Sequence, residues 1–176
     1  MNFKKNRQIL LHPFFAILLM SVLILADQFT KASAVKTLKN RQPFEIVQGI
    51  LEFQYCENDG IAFGLFSGKV PFFLIFSLVF LVFAVMIYRK IPKTEHYVPL
   101  ILVLFLVTAG AAGNFIDRLF KGYVVDFIYI RLIDFPIFNV ADIYVVCGCL
   151  TMFLLLLLKY KEEDFEFITF KQKDKP

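Results

Sequence analysis

Asp126 and Asp142 are the residues of this 176-residue chain whose type and setting could do chemistry. They stand in the stretch from Gly110 to Asp142, which begins in one apolar run, leaves it, and returns at the start of another. The same stretch carries Asn114, Asp117, Arg118, Asp134 and Asn139. Polar side chains that close to hydrocarbon cost free energy unless they are paired or used: roughly 2.5–3.5 kcal/mol for a charge at a helix centre, less near the interface. Two carboxylates that meet in a low-dielectric site cannot both ionise easily, so one keeps a proton and the pair titrates as a unit. Such a pair can hold a water. The ionised member takes the water's proton and the neutral one polarises a substrate carbonyl, which is aspartyl amide hydrolysis. A plainer reading stands beside it. Asn139 is a good N-cap and Asp142, three residues on, completes a capping box. Asp126 caps no helix that the sequence identifies.

Other hydrolytic chemistries lack parts. There is no G-x-S-x-G, and Ser–Lys pairing has only Ser33 with Lys36 or Ser67 with Lys69. The two histidines, His12 and His96, fall on the opposite side of the membrane from the polar cluster, so no metal site is expected. Cys147 and Cys149 lie two apart on a helix and face different directions, and Cys56 is alone, so the three cysteines form no disulfide framework.

The elements that must position these groups are membrane helices. The chain is 59% hydrophobic with 23 Phe, more apolar than a soluble domain of its length. Charge-free runs at Ile9–Ala26, Val70–Tyr88 and Val98–Ile116 are each near the ~20 residues that a span needs. A fourth, Ile143–Leu158, is long enough only if it borrows from Ile137–Asp142, which draws Asp142 into the end of the span. We expect one integral membrane domain over 1–176. Its spans lie at about 9–30, 70–88, 97–118 and 138–158, with outer segments 38–69 and 119–137 and a cytoplasmic tail 159–176. Lys4, Lys5, Arg7, Arg89, Lys90, Lys93 and five lysines after Leu158 lie on one side. The positive-inside bias therefore places both termini in the cytoplasm and the polar stretch outside. The net charge of +4 reads as topology, and no nucleic-acid partner is expected. The start of the chain imitates a secretory signal ending in Ala32-Ser33-Ala34. Asp27 and Lys31 interrupt that pattern and three more spans follow, which excludes it.

Between the spans, Leu51, Phe53 and Tyr55 alternate with Glu52, Gln54 and Cys56 at the period of a half-buried strand. Phe44–Val47 is its expected partner and Gln48-Gly49 the turn, giving a small hairpin on the membrane surface. Asn58-Asp59-Gly60 makes a further turn, and Ile61-Ala62-Phe63-Gly64 re-enters apolar territory. Span two is Phe-rich and reads as lipid-facing. In span three, Gly110-Ala111-Ala112-Gly113 allows close helix approach, and Asn114, Asp117 and Arg118 share a face. Tyr123–Ile130 reads as a strand or extended segment, Ile130–Phe138 as amphipathic, and the tail as a surface or disordered segment. Asp27 and Lys31, four apart on one helix face, are either a self-neutralising interfacial pair or a polar wall of the site.

Five motifs in order resemble those of the lipoprotein signal peptidase (signal peptidase II) family. They are Asp27-Gln28 with Lys31, Asn58-Asp59-Gly60-Ile61-Ala62-Phe63-Gly64, Gly113-Asn114 with Asp117-Arg118, Val125-Asp126-Phe127, and Phe138-Asn139 with Ala141-Asp142. The resemblance implies an all-α membrane protein of four transmembrane helices with a small extracytoplasmic β-hairpin or β-cradle and a short amphipathic segment. It implies an aspartic endopeptidase of the bacterial cytoplasmic membrane that cleaves diacylglyceryl-modified prolipoproteins before the lipidated cysteine. Asp126 and Asp142 match the catalytic pair. Asp27, Lys31, Asn58, Gly60, Asn114, Arg118 and Asn139 match the substrate site, and Gly113 and Asp117 match structural positions. No cofactor or metal is implied, membrane lipid is an expected contact, and the enzyme is expected to act as a monomer. Ile61 and Ile143 stand where the family commonly has small residues. The outer hairpin and the Ile130–Phe138 segment are expected to close over substrate as a clamp. Two competing readings are a carrier relaying protons through Asp27, Asp126 and Asp142, and a structural subunit whose aspartates are caps and ion pairs. The carrier is disfavoured because spans two and four, apart from Asp142, are almost bare of polar residues.

Overall fold

The computed structural model describes residues 13–60 and 68–168. The basic N-terminal residues, His12, Ile61-Ala62-Phe63-Gly64, Ser67 and the last lysines lie outside the described residues.

Helix α1 covers Pro13–Leu38. It runs on past Asp27 and Lys31, beyond the expected end near residue 30, because nothing in that stretch breaks it. The hydroxyls of Ser33 and Thr37 donate to the carbonyls of Phe29 and Ser33 one turn back, both at 2.8 Å. The Ala32-Ser33-Ala34 triplet is therefore helix interior. Strands β1 (Phe44–Val47) and β2 (Leu51–Asn58) follow, turning at Gly49, whose φ of +71° suits glycine. Helix α2 covers Val70–Lys90 and stops before Pro92. Helix α3 covers Val98–Lys121 and ends on Gly122, left-handed at φ +79°. That cap turns the chain back into β3 (Val124–Ile130), and helix α4 covers Val140–Leu158. All four helices are long and apolar enough to cross a membrane.

Helix α3 is the centre of the bundle. Its most apolar stretch is 39% buried inside the protein, against 11–17% for the other three, which leave most of their surface to lipid. Small residues allow the close approach of α4 to α3. A Cβ on Gly110 would lie 2.4 Å from the Ala141 carbonyl oxygen and 2.7 Å from a Val145 methyl. A Cβ on Gly113 would lie 2.5 Å from an Asp27 carboxylate oxygen, so α1 also meets α3 there.

The strands form one antiparallel sheet in the order β1-β2-β3, a strand more than the expected hairpin. Cys56 pairs with Asp126, and a register irregularity lies between Phe53 and Cys56. The alternation along β2 does not become a wet face and a dry one. Glu52 is buried, beside the Arg131 guanidinium at 3.4 Å. The far edge of β3 is tied to the approach to α4, where the Phe127 and Ile128 N–H groups donate to the Phe138 carbonyl at 3.0 and 2.8 Å. The amphipathic segment is a single 3₁₀ turn, Arg131–Ile133, that leaves Leu132 and Ile133 exposed.

The described part of the tail lies, Tyr160 apart, largely at the surface and is tied to the bundle. Tyr160 is buried and its hydroxyl donates to the His96 carbonyl at 2.8 Å, while Tyr97 donates to the Asp164 carbonyl at 2.8 Å. His96 Nε2 and Asp164 Oδ1 also meet at 2.9 Å, so aromatic contacts and side-chain hydrogen bonds fold the tail over the end of the bundle.

The Gly110 contact makes a test of helix approach. Gly110→Ala must push α4 off α3, and overpacking of this kind costs about 1–3 kcal/mol. The variant is expected to melt below wild type in detergent and to lose turnover with it. Ala111→Gly, which adds no atoms at the neighbouring position, should lose only the roughly 0.5–1 kcal/mol that a helix-interior glycine costs.

Candidate active site

Two carboxylates share one wall of a cavity of about 860 Å³. Asp126 comes from the middle of β3 and Asp142 from the first turn of α4. Asp126 is 2% exposed, and both its oxygens accept amide N–H groups: Oδ2 from Asn58 at 2.8 Å and Oδ1 from Asn139 at 2.6 Å. Asp142 Oδ1 accepts from Asn114 at 2.8 Å, and Oδ2 accepts the backbone N–H of Asn139 at 3.0 Å. The Asp142 N–H donates in turn to Asn139 Oδ1 at 3.0 Å, completing the capping box. The expected capping box is therefore present. The cap consumes Oδ2 and leaves Oδ1 to Asn114 and the cavity.

Asn139 links the two acids. Its side-chain oxygen caps α4, while its Nδ2 reaches Asp126 and also lies 3.2 Å from Asn114 Oδ1. Burial, and then the charge of Asp142, push the Asp126 carboxyl from 3.8 up to about 6, against the pull of the Asn58 and Asn139 amides.

Behind this wall lies a second polar layer. Lys31 Nζ is fully buried, 2.8 Å from Asn114 Oδ1, 2.9 Å from Asp27 and 3.3 Å from Asp117. Asp27 Oδ1 accepts the Ala141 N–H at 2.9 Å, which fixes the first turn of α4. Asp117 accepts from Lys121 at 2.8 Å and from the Val125 N–H at 3.1 Å, which fixes the start of β3 beside Asp126. Gln28 joins the layer, its amide within 3.3 Å of Asp27, Asp117 and the Gly113 carbonyl. The i,i+4 pair of α1 is therefore closed within the protein, behind the cavity lining.

Of the residues expected at the substrate site, Asn58, Gly60, Asn114 and Arg118 line the cavity with the two aspartates. Asp27, Lys31 and Asn139 are fully buried and sit behind the lining, where they hold its members. Gly113 and Asp117 lie in the same rear layer. Arg118 donates to the Gly60 carbonyl at 3.1 Å, and its guanidinium lies over the Phe73 ring at 5.0 Å. Sequence reasoning missed the α2 side of the cavity. Phe72, Phe73 and Phe76 of α2 form one side, and Pro136, Ile137 and Phe138 the approach to α4. The Phe run of α2 carried no periodic polar signal to show that one of its faces looks inward. Ile143 also lines the cavity.

Residues 19–158 match the family model described as signal peptidase (SPase) II. The chain is 39% identical over 150 residues to the lipoprotein signal peptidase of Caldicellulosiruptor bescii, covering 85% of this chain and 94% of that one. It is 37% identical over 142 residues to that of Streptococcus thermophilus, covering 81% and 90%. The chain belongs to the signal peptidase II family. A solved bacterial membrane enzyme structure, obtained by the in meso method, superposes with a TM-score of 0.75 at 33% identity, covering 86% of this chain and 94% of that one. A second of the same description gives 0.72 at 33% identity, covering 85% and 96%. The chain is thus a bacterial membrane protein and an aspartic peptidase of the signal peptidase II type, which displaces the carrier and structural-subunit readings.

Lys31 offers a check on the rear layer. Lys31→Met leaves Asp27 and Asp117 buried without their shared cation, and breaking buried pairs from one side costs about 3–5 kcal/mol. The variant is expected to lose thermal stability and turnover together. Asn58→Ala, at the cavity surface, should lose turnover while melting near wild type. Equal melting temperatures for Lys31→Met and wild type would remove the structural role assigned to that layer.

Proposed function

We propose that Asp126 and Asp142 are the catalytic pair with which this signal peptidase II removes the signal peptide of diacylglyceryl-modified prolipoproteins, cutting before the lipidated cysteine. The observation that carries the reading is their setting. Two carboxylates, each held by asparagine amides, sit on the polar wall of a cavity whose other walls are hydrocarbon. A substrate with a lipid on the residue after the scissile bond needs both kinds of wall within one site.

Asp126 holds the proton at rest and Asp142 is ionised. A water bound between them loses a proton to Asp142 as its oxygen attacks the scissile carbonyl carbon. Asp126 gives its proton to the carbonyl oxygen, leaving a neutral gem-diol. On collapse Asp142 protonates the departing amine nitrogen, the carbon–nitrogen bond breaks, and one diol hydroxyl returns its proton to Asp126. One water is consumed and the pair is restored. Asn58, Asn114 and Asn139 supply neutral donors that fix the acids without adding charge, and Arg118 shares the cavity wall. No step calls on a metal or cofactor.

The chain works as one membrane domain and as a monomer in the bacterial cytoplasmic membrane. Both termini are cytoplasmic and the pair lies at the extracytoplasmic face. The basic residues Arg89, Lys90 and Lys93 support that orientation, since they lie at the opposite end of α2 from the sheet. Pro136–Phe138 and the sheet flank the cavity and make the clamp that closes on substrate.

The direct test is cleavage of a diacylglyceryl-modified prolipoprotein by wild type, Asp126→Asn and Asp142→Asn in detergent, with folding checked by melting. Loss of at least ~10³-fold in both variants, with the fold kept, is expected. Substantial turnover in either would make that residue structural.

The pH dependence follows from Asp126. Its folded value, about 6, is raised above the ordinary 3.8, so its contribution to stability is present below pH ~4 and is lost as pH rises through 6. Melting temperature is therefore expected to fall between those values in wild type and to flatten in Asp126→Asn. The kcat/KM profile should decline on the alkaline side from about pH 6. The decline in kcat should lie higher, because bound substrate excludes water and disfavours the second charge further.

A further inference from the structure

We propose that a second groove, on the reverse face of the sheet from the aspartate pair, is a seat for one anionic phospholipid. It lies between the outer third of α1 and the sheet, holds about 580 Å³, and shares no lining residue with the active-site cavity. That volume is in the range of small-molecule sites.

Its floor is Phe127, the neighbour of Asp126 on β3. Successive side chains of a strand point to opposite faces, so Phe127 looks into the groove where Asp126 looks into the cavity. Phe127 meets Phe53 edge-on at 5.9 Å and joins Ala34 and Leu38 of α1 in one buried cluster. The open rims are Phe29 and Phe44, 74% and 61% exposed.

The polar atoms along the wall are already used. The hydroxyls of Thr30, Ser33 and Thr37 donate to the carbonyls of Asp27, Phe29 and Ser33 at 2.7, 2.8 and 2.8 Å. What remains facing the groove is methyl and aromatic surface, which suits hydrocarbon. From Phe29 to Leu38 the helix rises about 14 Å, the reach of most of an acyl chain.

Charge stands only at the far end, where Arg41 lines the groove next to Gln42. The nearby Lys39 is engaged with Glu57 at 2.8 Å, whereas Arg41 makes no ion pair among the described residues. A long apolar trough open to the bilayer, closed by one guanidinium at its surface end, is the complement of an acyl chain below a phosphodiester. An arginine fork binds phosphate oxygens in pairs. An anionic headgroup is favoured over a zwitterionic one because no carboxylate is at hand for a choline.

The chain contains no tryptophan, so one introduced indole reports without background. Phe44→Trp places it on the groove rim. Thr37→Trp, exposed on the other wall, is the second reporter should the first not fold, and Phe153→Trp, 59% exposed on α4, reports ordinary lipid. Each is reconstituted in vesicles in which either phosphatidylglycerol or phosphatidylcholine carries brominated chains, at equal mole fractions. From the quenching, the groove reporters should prefer phosphatidylglycerol by about fivefold, the factor one basic side chain contributes at an anionic surface. Phe153→Trp should show a ratio near one. Adding Arg41→Gln to the groove reporter should bring its ratio to one, and Arg41→Lys should keep most of the preference. Equal ratios at groove and control, a preference indifferent to Arg41→Gln, or no quenching by either lipid would each overturn the proposal.

Discussion

A buried ammonium governs this structure. Lys31 has no access to water, and a cation in that position must find its compensation within the protein. It finds three oxygens, and each belongs to a residue that positions something else. Asp27 holds the N–H of Ala141, Asp117 holds the N–H of Val125, and Asn114 holds Asp142. The first turn of α4 and the start of β3 are thus anchored to one point on α1. Those are the two backbone segments from which the aspartates project. Moving either acid means moving a backbone group away from a carboxylate already committed to Lys31.

Charge in the two layers is matched. Lys31 and Lys121 face Asp27 and Asp117 in the rear layer, two against two. In front, Asp126 and Asp142 stand on a wall that also carries Arg118. The asparagines between the layers fit that arrangement. An amide donates to a carboxylate without stabilising the anion as strongly as a cation would, so burial can still raise the Asp126 carboxyl to about 6. A lysine in place of Asn58 would hold Asp126 as an anion and remove the acid from the reaction.

Part of this was legible along the chain. The four apolar runs, the Gly49 turn and the Asn139–Asp142 cap are local, and local signals survive folding. The motifs also gave the aspartates their family, and with it their expected role. Depth was not legible. Asp27 and Lys31 read equally well as a wet pair or a wall, since i,i+4 spacing states that two residues share a face but not what that face meets. What decides the matter is Gly113, eighty-two residues after Lys31, whose missing side chain lets α3 close on Asp27. Span two hid its role for the opposite reason. Lipid and an apolar cavity ask for the same residues, so Phe73 and Phe76 carry no mark that separates them from their neighbours. The tail misled by composition: its charges suggested solvent, yet Tyr160 and Asp164 use His96 and Tyr97, which lie more than sixty residues upstream.

The β3 strand brings these constraints together. One of its faces presents Asp126 to the cavity, and the other buries Phe127 against Phe53 and the C-terminal third of α1. Its beginning is tied to Asp117 and its edge to Phe138. A catalytic group is commonly placed on a rigid element so that its carboxylate keeps its aim while water and substrate exchange. Here the rigidity is borrowed. A sheet this small needs an apolar face or a helix to pack on, and this one is held by α1 on its reverse face and by a buried ion network at its end. Membrane helices thereby lend their stiffness to a carboxylate carried on a short sheet.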